Sequence, residues 1–345
     1  MEYSQLTKIF FLTALGFSLS LSLTPFFTGF LYRNKLGKQI RQDKSTPNFY
    51  KLHKNKEGTP TMGGVLIWGS LVILILFFWF FGDALGAPSL KSLNFLTRKE
   101  TLLPLGAFLG ASLVGLADDW LDIKKRGHNG RGLRFRFKLV LYAIVATIGA
   151  WWFFFKLEFS QVYIPFIGNI DFGFWYIPFF ILAVVSTSFA VNETDGLDGL
   201  AGGTLLIAFA SYGIIAFTQG KYDLATFIGV ISGALLAFLW FNVHPARFFM
   251  GDTGSMGLGV LLAIVAFLTN SVFLLALIGF IFLAEALSLL LQIFWKKVFK
   301  KRLLLSSPIH HHFEALGWPE TKVTMRFWII AAVMGMLGVI IYFIG

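Results

Sequence analysis

Residues 102–126 read LLPLGAFLGASLVGLADDWLDIKKR, an apolar run that ends in aspartates and then in cations. About 20 apolar residues cross the hydrocarbon core of a bilayer as an α-helix. A carboxylate near hydrocarbon is costly, so such a residue usually has a partner or a functional role. Six aspartates of the chain lie at or beside the ends of long apolar runs: Asp118, Asp119, Asp122, Asp195, Asp198 and Asp252.

The composition is that of a membrane protein. Hydrophobic residues make up 56% of the 345 residues, against roughly 45–50% in a soluble domain, and the mean hydropathy is +0.73. A barrel would show short alternating segments instead of long apolar runs. The sequence therefore predicts an all-α integral membrane protein with about ten transmembrane helices. The apolar runs lie near residues 9–31, 61–82, 102–121, 138–156, 176–192, 199–217, 223–243, 255–269, 271–295 and 326–344.

The distribution of cations predicts the orientation. With ten spans, 23 of the 29 Lys and Arg fall on one side of the membrane. Cytoplasmic loops carry such an excess, so this side is predicted to be cytoplasmic and both termini external. The net charge of +11 therefore reports topology and does not indicate a nucleic-acid partner. The external cations are Lys8, Lys91, Arg98, Lys99, Lys156 and Lys221.

The chain is predicted to form one polytopic membrane domain over residues 1–345. The first apolar run lacks a basic leader and a small-residue cleavage site, so we expect it to stay as a span. The chain has no cysteine, which excludes thiol ligands and thiol nucleophiles. The unusual residues concentrate in the predicted cytoplasmic segments 32–60, 122–138, 192–198, 243–256 and 296–325.

The first motif is LADDWLDIKKR, residues 116–126. On a helix Asp118 and Asp122 share a face, while Asp119 points about 100° away. The adjacent aspartates can therefore serve two roles around one centre. Ion pairing with the cations that follow is the ordinary structural alternative.

The second motif is NETDGLDGLAGG, residues 192–203. Its glycines allow a tight turn and a close approach to a ligand. Asp195 and Asp198 would lie together if the second half were helical. A turn between two helices with an aspartate as N-cap is the alternative, although two acids and Asn192 exceed what a turn needs.

The third motif is NVHPARFFMGDTGSMGLG, residues 242–259. Asp252 lies in a glycine-flanked bend before a predicted helix, where exposed N–H groups favour anions and a carboxylate can hold Mg²⁺ against phosphate. Capping of the helix by Asp252 is the competing explanation.

The fourth motif is PIHHHFE, residues 308–314. Consecutive histidines rarely reach one zinc ion together, and no cysteine completes a tetrahedral site. Imidazoles that bind phosphate oxygens or orient a metal-bound ligand fit better. A solvated histidine cluster is the alternative.

The fifth motif is KEGTPTMGG, residues 56–64. It offers an ammonium, two hydroxyls and close-approach glycines to a polyanionic ligand. An ordinary helix start, with Thr59 as cap and Pro60 in the first position, is the alternative.

All five motifs fall on the same side of the predicted topology. Hard carboxylate oxygens without cysteine favour Mg²⁺ or Mn²⁺, and a metal with cations beside a bilayer indicates phosphoryl transfer involving a lipid phosphate. A transporter would place its polar residues near the midplane, and Glu285 is better explained as a buried packing or hydrogen-bonded residue. A noncatalytic protein that binds lipid or nucleotide would not need Asp118, Asp119 and Asp252 together.

These motifs resemble the polyprenyl-phosphate N-acetylhexosamine-1-phosphate transferases over essentially the whole chain, from TPTMGG through LADDWLD, NETDGLDGLAGG and FFMGDTGS to PIHHHFE. The resemblance implies that undecaprenyl phosphate attacks the β-phosphate of UDP-N-acetylmuramoyl-pentapeptide, with Mg²⁺ required and UMP released. The triple histidine favours this donor over UDP-N-acetylglucosamine. The resemblance also implies a homodimer in the bacterial cytoplasmic membrane.

The resemblance further implies roles for individual residues. Asp252 would be the metal ligand, and Asp118, with Asp119 beside it, would deprotonate or position the lipid phosphate. Phe249 would stack on uracil. His311 is assigned to the catalytic residues and would lie with its neighbours against the sugar diphosphate. The expected substrate-binding residues are Lys56, Thr61, Asn192, Asp195, Asp198, Phe249, Gln292, His310, His311 and His312.

Overall fold

The computed structural model describes residues 2–37, 56–98, 100–127 and 132–345. Of the predicted segments 32–60 and 122–138, residues 38–55 and 128–131 lie outside the described residues, as does Lys99. The main elements are α1 (Glu2–Arg33), α2 (Gly64–Phe78), α3 (Leu102–Ile123), α4 (Phe135–Trp151), β1 (Gln161–Ile164), β2 (Gly168–Asp171), α5 (Tyr176–Thr194), α6 (Leu200–Thr218), α7 (Tyr222–Asn242), α8 (Asp252–Leu268), α9 (Phe280–Phe299), α10 (Ile309–Ala315) and α11 (Glu320–Ile344). Single-turn helices lie at Pro88–Lys91, Gly173–Trp175, Val272–Leu274 and Leu275–Ile278, and π-helical turns extend α2 and α4 at Trp79–Ala84 and Trp152–Lys156.

The described residues contain eight helices long and apolar enough to cross a membrane, or nine if a bent pair forms one span. The bent pair is Val272–Ile278 with α9, at an angle of 83°. The eighth predicted run corresponds to α8, which has 17 residues. The prediction of an all-α integral membrane protein is thus confirmed for the membrane-spanning part of the chain. Each of the ten predicted runs falls on a helix or on the bent pair.

Helix α8 forms the centre of the bundle. Every residue after Asp252 in this helix is buried, and the helix packs against α2, α3, α5 and α6. A helix that is hydrophobic all round is expected in such a position. Small residues permit the close packing, since a Cβ at Gly259 would lie 2.7 Å from the Cα of Ser188. Protein therefore surrounds α8, and its first turn opens at one end of the bundle.

Helix α9 is buried along one narrow stripe only. Its buried residues are Ile281, Phe282, Glu285, Ser288 and Gln292, at the three- and four-residue spacing of a single helix face. The remaining faces are largely apolar and exposed. This half of the bent pair therefore projects from the bundle with most of its surface available to lipid.

The structure departs from one local expectation and excludes one of the structural alternatives. The segment after α4 contains an antiparallel hairpin, β1 paired with β2 from Gln161↔Asp171 to Ile164↔Gly168, which the all-α expectation did not include. Helix α2 begins at Gly64, and Pro60 instead forms a bridge with Gly37. Pro60 therefore does not occupy the first position of a helix.

The turn between α5 and α6 also differs from the sequence-based expectation. Helix α5 ends at Thr194 and α6 begins only at Leu200. Asp195 and Asp198 therefore do not share a helix face. Each carboxylate belongs to a tight turn and has its own surroundings.

Candidate active site

An ammonium group joins two of the predicted carboxylates. The Nζ atom of Lys138, in the first turn of α4, lies 2.6 Å from Oδ2 of Asp118 and 2.5 Å from Oδ2 of Asp252. The other oxygen of Asp118 accepts the N–H of Leu133 at 2.5 Å. Asp118 is only 6% exposed, so its charge needs this compensation. The ends of α3, α4 and α8 thus meet at one charged centre.

Asp119 holds the N-terminus of α8. Its two carboxylate oxygens accept the N–H groups of Asp252 and Thr253, each at 3.1 Å. A carboxylate in this position satisfies orphan N–H groups and interacts favourably with the helix dipole. The approach requires glycine at Gly115, because a Cβ there would clash with the carbonyl oxygen of Asp252. Asp119 therefore caps this helix, and the side chain of Asp252 is left to face the site.

Asn192 fixes the second oxygen of Asp252. Its amide donates to Oδ1 of Asp252 at 3.0 Å and to the hydroxyl of Ser255 at 2.9 Å. Asp195 immediately follows α5, and its N–H donates to the carbonyl of Asn192 at 3.1 Å. The end of α5 is therefore tied to the beginning of α8. Both oxygens of Asp252 have defined partners.

A second charged cluster surrounds Asp198, which is 4% exposed. The ammonium of Lys56 lies 2.7 Å from Oδ1 of Asp198 and 2.5 Å from Oε1 of Glu320. Oε1 of Glu320 also accepts the N–H of Asp198 at 2.6 Å. On the other side, Oδ2 of Asp198 lies 2.9 Å from Nδ1 of His244 and accepts the N–H of Ala246 at 3.1 Å. The KEGTPTMGG motif and helix α11 therefore both contact the turn between α5 and α6.

The second cluster also has the donor spacing of a cation site. Ligand atoms of Asp198, His244 and Glu320 lie within 4.8 Å of one another. Lys56 places a positive charge against both carboxylates, as Lys138 does between Asp118 and Asp252. A mixed set with an imidazole, however, is less suited to Mg²⁺ than carboxylate and water oxygens. This cluster is therefore better described as an ion-pair network.

The segment before α2 runs alongside the segment before α8. The N–H of Phe249 donates to the carbonyl of Pro60, and the N–H of Gly63 donates to the carbonyl of Phe249, both at 2.8 Å. The hydroxyl of Thr61 is buried and has no hydrogen-bond partner among the described residues. A Cβ at Gly251 would lie 2.7 Å from that hydroxyl oxygen. Thr61 and Phe249 therefore lie beside the loop that carries Asp252.

His310 is fully buried against Glu285 of α9. Its Nδ1 lies 3.0 Å from Oε2 of Glu285, and its backbone N–H donates to the same oxygen at 3.4 Å. The approach of Nδ1 to Glu285 is an ion-pair distance without hydrogen-bond geometry, and neither ring nitrogen has a hydrogen-bond partner among the described residues. A Cβ at Gly196 would clash with Nε2 of His310. The first histidine therefore fits against the turn between α5 and α6.

The other two histidines have local partners. Nδ1 of His311 lies 2.7 Å from Oε2 of Glu314. Nδ1 of His312 accepts the N–H of Leu305 at 3.2 Å. The carbonyl oxygen of the Gln292 side chain accepts the N–H groups of Leu303 and Leu304, at 3.1 and 2.9 Å. Gln292 therefore shapes the turn before the histidine helix, whereas the histidines themselves lie in the first turns of that helix.

The structure brings all five motifs together through direct contacts. Predicted residues make some of these contacts, as Asp119 and Asn192 do with Asp252, and groups that sequence reasoning missed make others. In the sequence, Lys138 is only one of many cations predicted to be cytoplasmic, and Glu320 has the position of an ordinary acid in the first turn of a helix. Glu285 is buried, as expected, but its pairing with His310 has no signal in the sequence. The missed residues are Lys138, His244 and Glu320, which connect motifs, and Glu314, which pairs with His311 inside its own motif.

Buried carboxylates and ammonium groups at one end of a bundle of apolar helices are typical of a multi-pass membrane protein with a site for charged groups. Residues 101–270 match the model of Glycosyl transferase family 4, and residues 56–67 match the phospho-N-acetylmuramoyl-pentapeptide-transferase signature 1. The matched residues include Lys56, Asp118, Lys138, Asn192 and Asp252.

Curated relatives cover nearly the whole chain. A phospho-N-acetylmuramoyl-pentapeptide-transferase of a Geobacillus species is 39% identical over 333 residues, 95% of this chain and 95% of that protein. Those of Anoxybacillus flavithermus and Chloroflexus aurantiacus are 38% and 37% identical, over 96% and 97% of this chain and 97% and 89% of those proteins. The chain belongs to the phospho-N-acetylmuramoyl-pentapeptide-transferase family, a group of phosphoglycosyl transferases, and the resemblance seen in its motifs is confirmed.

Proposed function

We propose that this protein transfers phospho-N-acetylmuramoyl-pentapeptide from its UDP carrier to undecaprenyl phosphate. The products are the first lipid-linked peptidoglycan precursor and UMP. The observation that carries the proposal is the joining of Asp118 and Asp252 by Lys138, at 2.6 and 2.5 Å, in a chain whose curated relatives bear this enzyme's name. A centre with both charges can hold a phosphate and the groups that activate it.

The proposed topology has ten spans, both termini external and the active site on the cytoplasmic face of the bacterial inner membrane. Two facts support it. The cations are distributed asymmetrically, as positive-inside loops require. The contacts of the site join the ends of α3, α5 and α7 to the beginnings of α2, α4, α6, α8 and α11, which is the alternation expected of helices that cross a membrane in turn.

We propose Mg²⁺ as the cofactor, held by Asp252 with Asp118 opposite it. The donors fit this ion, because carboxylate oxygens are hard ligands and the two side chains converge on one position. In this structure the ammonium of Lys138 lies at that position, 2.6 and 2.5 Å from the two carboxylates, so a bound ion would take its place between them. When bound, the ion would stabilise negative charge on the phosphates of the donor.

The acceptor is proposed to bind at Asp118. A proton passes from the lipid phosphate to the Asp118 carboxylate, and the freed oxygen forms a bond to the β-phosphorus of the donor. The bond between that phosphorus and the bridging oxygen breaks, and UMP carries away the electron pair. Lys138 stabilises the negative charge that passes through the centre, and Asp119 keeps the first turn of α8 in place, as its two N–H bonds allow.

The nucleotide is proposed to bind beside the second cluster. Lys56 supplies an ammonium for the diphosphate, Phe249 offers a half-buried ring for uracil, and the hydroxyl of Thr61, buried without a partner in the described chain, can accept or donate to the ligand. Asn192 holds Asp252 in position. The turn with Asp195 and Asp198 forms the wall of this pocket, and His311 and His312 lie against the sugar diphosphate. His310 is fully buried between Glu285 and Gly196, so it would reach the sugar diphosphate only if that turn moved.

A homodimer in the membrane belongs to the same proposal. Helices α1 and α11 have only 22% of their apolar windows buried, so each has a long face that lipid or a second copy can cover. Chemical cross-linking of the purified protein in nanodiscs distinguishes these occupants.

A donor comparison tests the function. Purified protein receives undecaprenyl phosphate and Mg²⁺ with either UDP-N-acetylmuramoyl-pentapeptide or UDP-N-acetylglucosamine, and UMP release is measured. We expect release only with the first donor and a loss of at least about 100-fold in Asp252→Asn. Release with the second donor assigns the enzyme to the N-acetylglucosamine branch. Normal release by Asp252→Asn contradicts the proposed metal site.

A further inference from the structure

The end of α9 and the turn after it carry five exposed cations within seven residues. These are Lys296, Lys297, Lys300, Lys301 and Arg302. The sequence contains no Asp or Glu between Glu285 and Glu314. This segment, which we call the cationic tip (residues 296–302), therefore has no acid in its own stretch of chain.

The cationic tip directly continues the exposed apolar surface of α9. On α9 the residues before the tip are apolar and at least partly exposed on every side except the buried stripe. Within and after the tip, apolar side chains alternate with the cations. The exposed apolar residues are Leu287, Leu290, Leu291, Ile293 and Phe294 before the cations and Val298, Phe299, Leu303 and Leu305 among or after them.

The fold gives the tip a defined shape. Lys300 has a left-handed backbone, with φ of 56°, which ends the helix, and the chain then turns back. Gln292 holds the returning segment by accepting the N–H groups of Leu303 and Leu304. The cations therefore project from the outside of a turn at the end of the lipid-exposed helix. This is the depth of the headgroups when the apolar part of α9 lies in the hydrocarbon.

We propose that the cationic tip binds the anionic headgroups of bilayer phospholipids. Clusters of Lys and Arg at the end of a membrane helix attract anionic lipid, and interleaved apolar side chains anchor such a segment at the interface. A segment that serves only to orient the protein needs the cations but not the exposed Val298 and Phe299. The continuity with the exposed apolar face of α9 favours phospholipid over a soluble anion as the occupant.

The tip is also connected to the histidine motif. Leu305, three residues beyond the tip, donates its N–H to Nδ1 of His312. Headgroups bound at the tip would therefore restrain the turn from which the histidines begin. This second consequence rests on the proposed function, whereas lipid binding itself does not.

Trp295 provides a reporter for binding, because its ring lies 4.2 Å from that of Phe299 beside the cations. The full chain is placed in nanodiscs of phosphatidylcholine that contain about one part in four of phosphatidylglycerol, and parallel nanodiscs lack phosphatidylglycerol. In one mixed preparation the phosphatidylglycerol is brominated. In the other, an equal mole fraction of the phosphatidylcholine is brominated instead. The signal of Trp295 is the difference between wild type and Trp295→Phe. We expect brominated phosphatidylglycerol to quench it about twofold more than brominated phosphatidylcholine, and about 1 M NaCl to remove the excess.

The matched variants are Lys296→Gln/Lys297→Gln/Lys300→Gln/Lys301→Gln and, as control, Lys156→Gln. Lys156 is an exposed cation beside Trp151, with Nζ 5.7 Å from the ring, at the opposite end of the spans. Only the fourfold variant should lose the excess quenching. Equal quenching by the two brominated lipids in wild type overturns the proposal, and so does an excess that survives in the fourfold variant. If stoichiometric undecaprenyl phosphate removes the excess, the tip binds the substrate instead, and the proposal is overturned.

The coupling to the site is tested by UMP release in the same nanodiscs. Wild type and Lys156→Gln should gain about twofold from phosphatidylglycerol, and the fourfold variant should gain nothing. Quenching without any gain in activity contradicts the coupling but leaves lipid binding intact. Absence of UMP release from wild type in every lipid would count against the proposed function and not against the tip, because the quenching experiment needs no substrate.

Discussion

Asp119 accepts the N–H of Asp252 at 3.1 Å and thereby holds the residue whose side chain faces the site. Asp118, its neighbour in the chain, instead faces Lys138. Two adjacent carboxylates therefore have different tasks, one structural and one electrostatic. The separation follows from the angle of about 100° between consecutive side chains on a helix.

Replacing Asp119 should affect both stability and activity. In Asp119→Asn one N–H of α8 loses its acceptor and faces an amide NH₂ instead, which costs on the order of 1–3 kcal/mol for a buried group. We expect a lower thermal unfolding temperature in detergent and a loss of UMP release of about 10- to 100-fold. Asp122→Asn, one turn along the same helix, is the control. Unfolding at the wild-type temperature would show that the cap does not hold this helix.

Lys138 should influence the affinity for divalent cations. In Lys138→Gln, Asp118 and Asp252 lose the ammonium between them, and their mutual repulsion should favour Mg²⁺ at that position. We expect stabilisation by Mg²⁺ to begin at about tenfold lower concentration, measured by thermal unfolding without substrate, while UMP release falls about 100-fold. Arg136→Gln, two residues earlier and exposed, should behave as wild type. If the Mg²⁺ titration of Lys138→Gln is the same as that of the wild type, Lys138 does not influence the metal site.

Glu320 should position the nucleotide pocket without touching the reacting atoms. In Glu320→Gln, Lys56 keeps the charge of Asp198 but loses that of Glu320, so the ammonium is held less firmly in place. We expect KM for the UDP-sugar to rise about tenfold with a smaller change in kcat, because the loss concerns binding. Glu57→Gln, exposed and next to Lys56, is the control. A fall in kcat alone would mean that Glu320 acts on the chemistry.

Glu285 should orient His310. Glu285→Gln keeps the volume but removes the charge that lies 3.0 Å from the imidazole, so we expect about 10- to 100-fold less UMP release with the same expression level. Ser288→Ala, on the same buried face, is the control, because its hydroxyl donates to the helix backbone at Glu285. Equal activity of Glu285→Gln and wild type would leave Glu285 with a packing role.

The membrane class and the convergence of the motifs could be predicted from the sequence, because apolar length and charge asymmetry are properties of single segments. Which carboxylate faces which partner could not. That depends on the crossing of α3 and α8 at Gly115, a contact between residues far apart in the chain. The role of Lys138 could not be predicted from the sequence, because the positive-inside rule already explains a cation near a membrane surface.

The hairpin escapes prediction for a different reason. Residues 161–171, QVYIPFIGNID, contain β-branched and aromatic residues before a glycine, which is a strand signal. In a chain dominated by apolar helices, so short a segment is easily interpreted as a plain connection. Its two strands pair with each other at one end of the bundle, outside the long apolar runs.

The contact between Lys56 and Glu320 spans 264 positions of the chain. During synthesis, every helix from α2 to α10 has therefore left the ribosome before the two residues can meet. A nascent chain that stops short of α11 can already be inserted in the membrane. It lacks Glu320, which pairs with Lys56 and accepts the N–H of Asp198. Assembly of the pocket is thus a late event, because it has to wait for the synthesis of α11.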